Sequence, residues 1–137
     1  MVLVDSNVLL DLLTDDPAWR AWSQTALADA LLAGPVFINQ LIYAELSIAF
    51  KDIRQLDAIL NRLKVLRADL PWEAAHGAGQ AFLKYRKKGG QRSSPLPDFY
   101  IGAHAQHDGL TLLTRDTSRY RTYFPKVKLI SPRQRRQ

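Results

Sequence analysis

Short hydrophobic runs of strand type alternate along the chain with segments whose hydrophobic residues recur at helical spacing. The first run, Val2 to Val4, is followed by the polar pair Ser6-Asn7 and then by apolar residues that continue as a helix. Such alternation predicts an α/β fold, a three-layer α/β/α sandwich with a parallel sheet of about five strands. The other strands are predicted at 36–38, 65–66, 110–113 and 127–130, and the other helices at 17–33, 39–50, 52–63, 71–88, 98–107 and shortly after 116.

Three aspartates fall where this alternation places the carboxyl ends of the strands. Asp5 ends the first strand, Asp116 follows the fourth, and Asp98 begins the helix that precedes the fourth. Ligands of open parallel sheets bind outside the carboxyl ends of the strands. Each aspartate alone could equally cap a helix, because carboxylates accept N–H bonds at helix starts. Their convergence on one edge favours a functional site.

Glu45 lies on the apolar side of the third predicted helix. With Leu41 set at zero and roughly 100 degrees added per residue, Glu45 falls at about 40 degrees. An ionised carboxylate that faces a core is costly unless it is paired or binds a metal. We therefore expect Glu45 to join the three aspartates, although a helix start that faces a solvent cleft would also accommodate it. The apolar arc consists of Leu41, Ile42, Ala44, Leu46, Ile48 and Ala49.

The four carboxylates would repel one another and raise one another's pKa values unless a cation neutralised them. The chain contains no cysteine, so a metal would be held by oxygen or imidazole ligands. Mg²⁺ and Mn²⁺ prefer oxygen ligands with retained waters, and they can activate water for attack on a phosphodiester. Asn7 and Thr114 lie beside Asp5 and Asp116, where they could orient a ligand carboxylate or its water.

Two histidines follow Asp98 on the same predicted helix. His104 and His107 lie three residues apart, a spacing that can suit a metal pair. Both fall on the polar side of the helix, away from Asp98, so we expect them to face solvent.

The chain is basic, with 19 Lys and Arg residues against 13 Asp and Glu residues, a net charge of +6 and an isoelectric point near 9.8. This balance favours polyanionic partners. A basic segment around Tyr85 could guide single-stranded RNA by charge and stacking. It could equally be a solvated helix end, where the helix dipole favours positively charged side chains. The candidate RNA-binding residues are Lys84, Arg86, Lys87, Lys88, Arg92 and Arg115.

The length of 137 residues is most simply that of one domain, residues 1–137, with a flexible basic tail from about 131 to 137. No run of 18 uncharged apolar residues predicts a membrane span, and the start of the chain lacks the pattern of a signal peptide. A cytoplasmic protein without membrane contact is therefore expected.

Four segments carry a resemblance to a known family, namely VLVDSNVLLDLL, NQLIYAEL, PLPDFYIGAHA and LLTRD. With the ordered spacing of their acids, the chain resembles a PIN domain, and more narrowly the VapC-type ribonuclease toxins of toxin–antitoxin pairs. The resemblance covers essentially the whole chain and implies Mg²⁺-dependent endoribonuclease activity, a homodimer and inhibition by a cognate antitoxin. It also implies that Asp5 and Asp98 are the principal metal ligands, Glu45 the acid between them, and Asp116 the fourth and most variable acid.

Other functional classes explain less of the sequence. The segment DSNVLLD is similar to the acidic motif of haloacid-dehalogenase-type phosphatases, but Asn7 occupies the place of their second aspartate, the general acid. A phospho-receiver domain would need an acidic pair after the first strand and an aspartate at the end of the third. A non-catalytic RNA-binding module would account for the basic charge but not for Glu45 in an apolar arc.

Overall fold

This computed structural model describes residues 1–91 and 96–132, and within them five short strands form one sheet, with helices connecting each strand to the next. The strands are β1 (Val2–Val4), β2 (Val36–Ile38), β3 (Leu66–Arg67), β4 (Thr111–Leu113) and β5 (Leu129–Ile130). Their order in the sheet is β3–β2–β1–β4–β5. All neighbouring strands are parallel, which confirms the predicted parallel sheet.

The helices agree with the predicted ones in number and order within the described residues, and they differ at several ends. Residues 17–19 form a turn because the Asp16 carboxylate accepts hydrogen bonds from the backbone N–H groups of Ala18 and Trp19. The third helix ends at Ser47, three residues earlier than predicted. The helices are α1 (Ser6–Leu13), α2 (Arg20–Ala33), α3 (Gln40–Ser47), α4 (Ile53–Arg62), α5 (Trp72–Lys87), α6 (Pro97–Asp108) and α7 (Ser118–Tyr123).

The core joins the central strands to the helices that flank the sheet. Leu3 and Val4 of β1 are fully buried, as are Leu112 and Leu113 of β4. The most extensive helix–helix packing is between α5 and α6, and the small residues Gly77 and Ala103 face each other in it. This packing fixes α6, whose first turn carries Asp98.

Two predicted segments lie wholly or partly outside the described residues. Arg92 falls in the undescribed stretch 92–95, and most of the predicted basic tail falls in 133–137. Within residues 1–91 and 96–132, no helix is long and apolar enough to cross a membrane.

The close approach of α6 to the segment after α7 gives a first test of the fold. A Cβ atom at Gly102 would overlap the buried ring of Phe124, so we expect Gly102→Ala to lower the free energy of unfolding by about 1–3 kcal/mol in urea titrations. At Gly79 of α5 an added Cβ meets no atom within 4 Å. Gly79→Ala should therefore be neutral or gain up to about 1 kcal/mol from helix propensity. Equal effects of the two substitutions would contradict this packing.

Candidate active site

The register of the two central strands sets the position of Asp5. Val4 of β1 lies opposite Leu113 of β4, so the next residues, Asp5 and Thr114, emerge side by side. The Thr114 hydroxyl donates a hydrogen bond of 2.9 Å to Oδ2 of Asp5. Chain connections leave β1 and β4 in opposite directions, which makes this edge the topological switch point where ligands of such sheets bind.

Asp5 is 4% exposed and is held by donors from three parts of the chain. The backbone N–H of Ser6 donates to Oδ1 at 2.8 Å, and the Tyr120 hydroxyl donates to Oδ2 at 2.8 Å. Burial raises the pKa of Asp5, and nearby Asp98 raises it further, whereas the hydrogen bonds from Tyr120 and Thr114 lower it. The Ser6 hydroxyl also lies 3.4 Å from Oδ1, but its single proton is better placed for Glu45 at 3.0 Å. Because a carboxylate has about four acceptor positions, Oδ1 then retains room for one more ligand.

Glu45 reaches the same edge from α3. Its Oε1 accepts a hydrogen bond of 3.0 Å from the Ser6 hydroxyl, which lies next to Asp5. The pKa of Glu45 is raised first by burial and then by the charges of Asp5 and Asp98, against the lowering effect of Ser6. The structure therefore brings Glu45 to the aspartates, as expected.

The argument that placed Glu45 is correct only in part. Ile42 and Leu46 of the proposed apolar arc are buried, but Ala44, Ile48 and Ala49 are exposed. Ile48 and Ala49 lie beyond the end of α3 at Ser47, whereas Ala44 is exposed within the helix. Glu45 is accordingly half-buried at the rim of the site and does not face the core.

Asp98 and Asp116 complete the acidic edge. Asp98 lies in the first turn of α6, where Leu96 is the N-cap, so its carboxylate is not used as the cap. Burial raises the pKa of Asp98, the nearby charge of Arg119 lowers it, and the charge of Asp116 raises it. Asp116 is exposed, and its Oδ1 accepts weak hydrogen bonds from Ser118. The four predicted acids thus lie around one edge, with Asp116 on its solvent side.

Asn7 and Thr114 fasten the loop after β4 to α1. The Asn7 side-chain amide donates to the Thr114 hydroxyl at 3.2 Å, and its Oδ1 accepts from the backbone N–H of Arg115 at 3.1 Å. Thr114 contacts Asp5 directly, whereas Asn7 contacts Thr114, and the role of both in orienting a metal ligand stays a prediction.

Sequence reasoning missed three residues of the site: Ser6, Tyr120 and Arg119. Ser6 and Tyr120 donate to the carboxylates, and Nη1 of Arg119 lies 3.4 Å from Oδ2 of Asp98. Burial, followed by the charges of Asp5 and Asp98, raises the pKa of Tyr120 well above its ordinary value, so its hydroxyl stays protonated. The position of Ser6 beside Asp5 was a signal available in the sequence. The six-residue helix α7 offered none for the direction of Tyr120 or Arg119.

Arg115 was predicted to contact RNA, but its guanidinium is bound within the protein. It pairs with the buried carboxylate of Asp11 through two contacts of 2.6 and 2.8 Å and lies over the Trp19 ring at 4.9 Å. Asp11 also accepts a hydrogen bond of 2.6 Å from Ser23. A bidentate pair of this kind is a structural tie between α1 and the loop that carries Asp116. The contact of Arg115 with RNA stays a prediction, which this pairing does not favour.

The other basic candidates that the structure describes lie at the C-terminal end of α5. Lys84, Arg86, Lys87 and Lys88 are all exposed. Their contact with RNA stays a prediction.

The prediction that His104 faces solvent is wrong, whereas His107 is exposed as expected. His104 is fully buried because neighbouring helices enclose α6 on several sides. The side-chain oxygen of Asn39 caps α3 by accepting from the backbone N–H of Ile42, and its side-chain N–H donates to Nδ1 of His104 at 3.0 Å. Because Nδ1 accepts, the ring proton is on Nε2, which donates to Asp108 at 3.0 Å. Burial lowers the pKa of His104. The neutral ring thus ties the start of α3 to α6, the helices of Glu45 and Asp98.

The acidic edge suits a hard divalent cation. Within residues 1–91 and 96–132, no three acidic or histidine side chains are arranged to hold one ion directly. Mg²⁺, however, is usually bound by one or two carboxylates and keeps several waters. Asp5, Glu45 and Asp98 all have raised pKa values, which is the electrostatic condition that a cation relieves. Asp5 and Asp98 are the carboxylates that would hold the ion, and Glu45 and Asp116 add negative charge beside them.

Together, the parallel sheet and the acidic edge define an α/β domain of the kind that binds divalent cations at its switch point. The sequence model of the PIN domain matches residues 2–125, and the chain belongs to this family. PIN domains are, in general, metal-dependent nucleases.

Solved structures share this fold over nearly the whole chain. VapBC2 from Rickettsia felis, bound to a DNA fragment from its promoter, is 19% identical with a TM-score of 0.72 and covers 97% of this chain and 100% of its own. FitAcB from Neisseria gonorrhoeae is 25% identical with a TM-score of 0.62, and the match covers 94% of this chain and 96% of the FitAcB chain. A chain of a toxin–antitoxin complex from Klebsiella pneumoniae is 24% identical with a TM-score of 0.64, and the match covers 93% of this chain and 95% of that chain. No curated protein matches the sequence.

The raised pKa of Glu45 predicts how the metal-free protein responds to pH. Folding makes this carboxyl hold its proton more tightly than in the unfolded chain, so the folded state loses stability as pH rises from the ordinary value of 4.5 towards neutrality. Glu45→Gln should therefore melt higher than wild type in EDTA at neutral pH, and the difference should shrink as pH falls. Mg²⁺ should raise the wild-type melting temperature more, because an ion that binds only the folded state stabilises it.

The control for this comparison is Glu73→Gln, which changes an exposed acid in the first turn of α5. It should not raise the melting temperature in EDTA, and its Mg²⁺ response should equal that of wild type. An equal Mg²⁺ response in Glu45→Gln would place Glu45 outside the metal site.

Proposed function

We propose that this chain is a Mg²⁺-dependent endoribonuclease, with Mn²⁺ as the alternative ion, and that it acts in the cytoplasm as the toxin of a toxin–antitoxin pair. The observation that carries the nuclease proposal is the meeting of Asp5, Glu45 and Asp98, all with raised pKa values, at the switch point of a PIN-family chain. Asp5 also caps α1, but Glu45 and Asp98 cap no helix, so capping does not account for the meeting of the three acids. The net charge of +6 supports a polyanionic substrate.

In this proposal Asp5 and Asp98 hold the metal. When bound, the ion would lower the pKa of a coordinated water and offset the charge of the phosphodiester. Asp5 is kept in one orientation by Ser6, Thr114 and Tyr120, so little reorganisation is required of it.

Glu45 is the residue best placed to move a proton. It is half-buried, and its raised pKa brings it closer to neutral pH than an ordinary glutamate. The Ser6 hydroxyl occupies one of its oxygens and orients it, which leaves the second available to accept a proton from an attacking water. Asp116, on the solvent side, adds negative charge near Asp98 and helps to attract the cation.

The contacts of Asn7 argue against the phosphatase alternative. A general acid in that place would need a side chain free to exchange a proton with the substrate. Both polar atoms of Asn7 are instead used to hold the loop after β4. A purely binding module would not need a cluster of carboxylates that repel one another.

The toxin proposal rests on the relatives and on an apolar groove. The complex from Klebsiella pneumoniae contains an antitoxin by its own description. Here, a groove of about 790 Å³ runs between α2 and the end of α4, and Leu32 beside it is 88% exposed. An antitoxin segment with apolar anchors would fill such a groove, since helical segments bind in this way. A homodimer is proposed on the resemblance to VapC-type toxins, and the exposed side chains of Ile48, Ile53 and Trp72 are available to an interface.

Asp98 gives the direct test of the nuclease. Asp98→Asn keeps the shape of the side chain but removes the charge that would hold a cation, so cleavage of single-stranded RNA in Mg²⁺ should fall about 100-fold or more while the fold persists. The matched control is Asp29→Asn, which changes an exposed acid of α2 and should cleave at the wild-type rate. EDTA should abolish cleavage by wild type. Wild-type cleavage by Asp98→Asn would refute the ligand assignment.

The partner is tested by co-expressing the neighbouring open reading frame. An antitoxin that covers the acidic edge should insert an Arg or Lys, because the carboxylates attract a basic side chain as they attract a metal cation. Cleavage should be suppressed by the intact partner and restored when that basic residue is changed to Ala. If the neighbour neither binds nor restrains cleavage, the toxin proposal fails while the nuclease proposal can stand.

A further inference from the structure

An open cleft adjoins the acidic edge between α7 and the C-terminal end of α5. Its volume is about 820 Å³, and Arg119, which contacts Asp98, forms part of its wall. Among the described residues two cations and no acidic side chain line this cleft. The lining residues are Tyr85, Lys88, Gly89, Gly90, Gln91, Arg119 and Tyr123.

Aromatic rings support both cations. The Lys88 ammonium lies 5.3 Å from the centre of the Tyr123 ring, and the Arg119 guanidinium lies 5.6 Å from that of Tyr85. The two tyrosine rings are themselves 6.3 Å apart in an edge-to-face contact. Cation–π contacts restrain the charged groups without neutralising them. The positive charge of Lys88 is therefore held at the cleft, and that of Arg119 is only partly offset by its long contact with Asp98.

The two glycines after Lys88 shape this end of α5. Gly89 has φ of +93°, a conformation that side chains rarely adopt. Gly90 donates its N–H to the Tyr85 carbonyl at 3.0 Å, and a Cβ atom there would overlap the Tyr85 ring. The chain can therefore turn tightly against Tyr85 directly after Lys88, which keeps that lysine at the edge of the cleft.

Arg119 is shared between the cleft and the acidic edge. Its contact with Asp98 is long, at 3.4 Å. Only Nη1 takes part in that contact, so Asp98 does not occupy the other N–H donors of the guanidinium, with or without a metal. An arginine fork matches the geometry of a phosphate group.

We propose that Lys88 and Arg119 form a phosphate-binding subsite, which holds a phosphate of a single-stranded nucleic acid next to the phosphate at the acidic edge. This inference rests on the proposed nuclease function and names a part of its substrate site. Of the basic residues suggested by the sequence, it selects Lys88, and it adds Arg119, which sequence reasoning did not single out.

The test measures binding of a fluorescent single-stranded RNA in EDTA, where cleavage is blocked, over a range of salt concentrations. Each phosphate contact contributes about 0.7 to the slope of log affinity against log salt. Lys88→Ala and Arg119→Gln should each weaken binding and flatten this slope by about 0.7. The factor by which affinity falls between 50 and 200 mM salt should therefore be about 2.6-fold smaller for each variant than for the wild type.

Lys128→Ala is the matched control, because Lys128 is exposed and lies at the opposite edge of the sheet, beside the start of β4. It removes the same charge and should leave the slope unchanged. In Mg²⁺, Lys88→Ala should raise KM for RNA with kcat unchanged, the pattern of a lost ground-state contact. Melting temperatures would verify that each variant is folded.

Equal slopes for Lys88→Ala and wild type, or an equal change in Lys128→Ala, would overturn the subsite. Loss of antitoxin binding in Lys88→Ala with an unchanged RNA slope would also overturn it and would assign the cleft to a protein partner. If the wild type binds RNA through Lys88 yet does not cleave it in Mg²⁺, the nuclease proposal fails, but the phosphate subsite is supported as a binding site.

Discussion

Burial of the Asp5 carboxylate is the constraint on which the site depends. A charged group that is almost completely removed from water is costly unless donors replace the water. Those donors come from Ser6, Thr114 and Tyr120, and the last two lie 109 and 115 residues further along the chain. The start of α1, the loop after β4 and α7 must therefore all be in place before Asp5 is satisfied, which couples the two ends of the fold.

A second set of buried polar contacts keeps the acid-bearing elements in register. Arg115 and Asp11 join the loop after β4 to α1, while Asn39 and His104 join α3 to α6. Each pair has both partners satisfied, so burial of the polar groups is compensated and specifies one arrangement. Rigid support of this kind allows Asp5, Glu45 and Asp98 to remain close together despite their mutual repulsion. The two buried pairs are thus satisfied internally, whereas the carboxylates of the acidic edge repel one another.

The sequence predicted what depends on periodicity and register, and it failed where orientation depends on tertiary packing. Alternating strands and helices were sufficient to place Asp5, Asp98 and Asp116 at one edge, because the carboxyl ends of parallel strands coincide. Glu45 was placed correctly although its helix is shorter than the pattern suggested. His104 was misplaced because the polar side of α6 is covered by other helices, and Tyr120 was missed because six residues do not fix the rotation of α7.

The donors around the acidic edge differ in charge according to depth, and this difference leaves the site ready for a cation. On the buried side, Thr114 and Tyr120 donate neutral hydroxyl groups, and the raised pKa of Tyr120 ensures that its proton stays in place. Neutral donors orient Asp5 without cancelling its charge. On the solvent side the donor is the cation Arg119, but its contact with Asp98 is long and the carboxylate is only partly compensated. A deeper arginine would have formed a closed ion pair, as Arg115 does with Asp11, and would have removed the negative potential that a metal and a positively charged inhibitor both require.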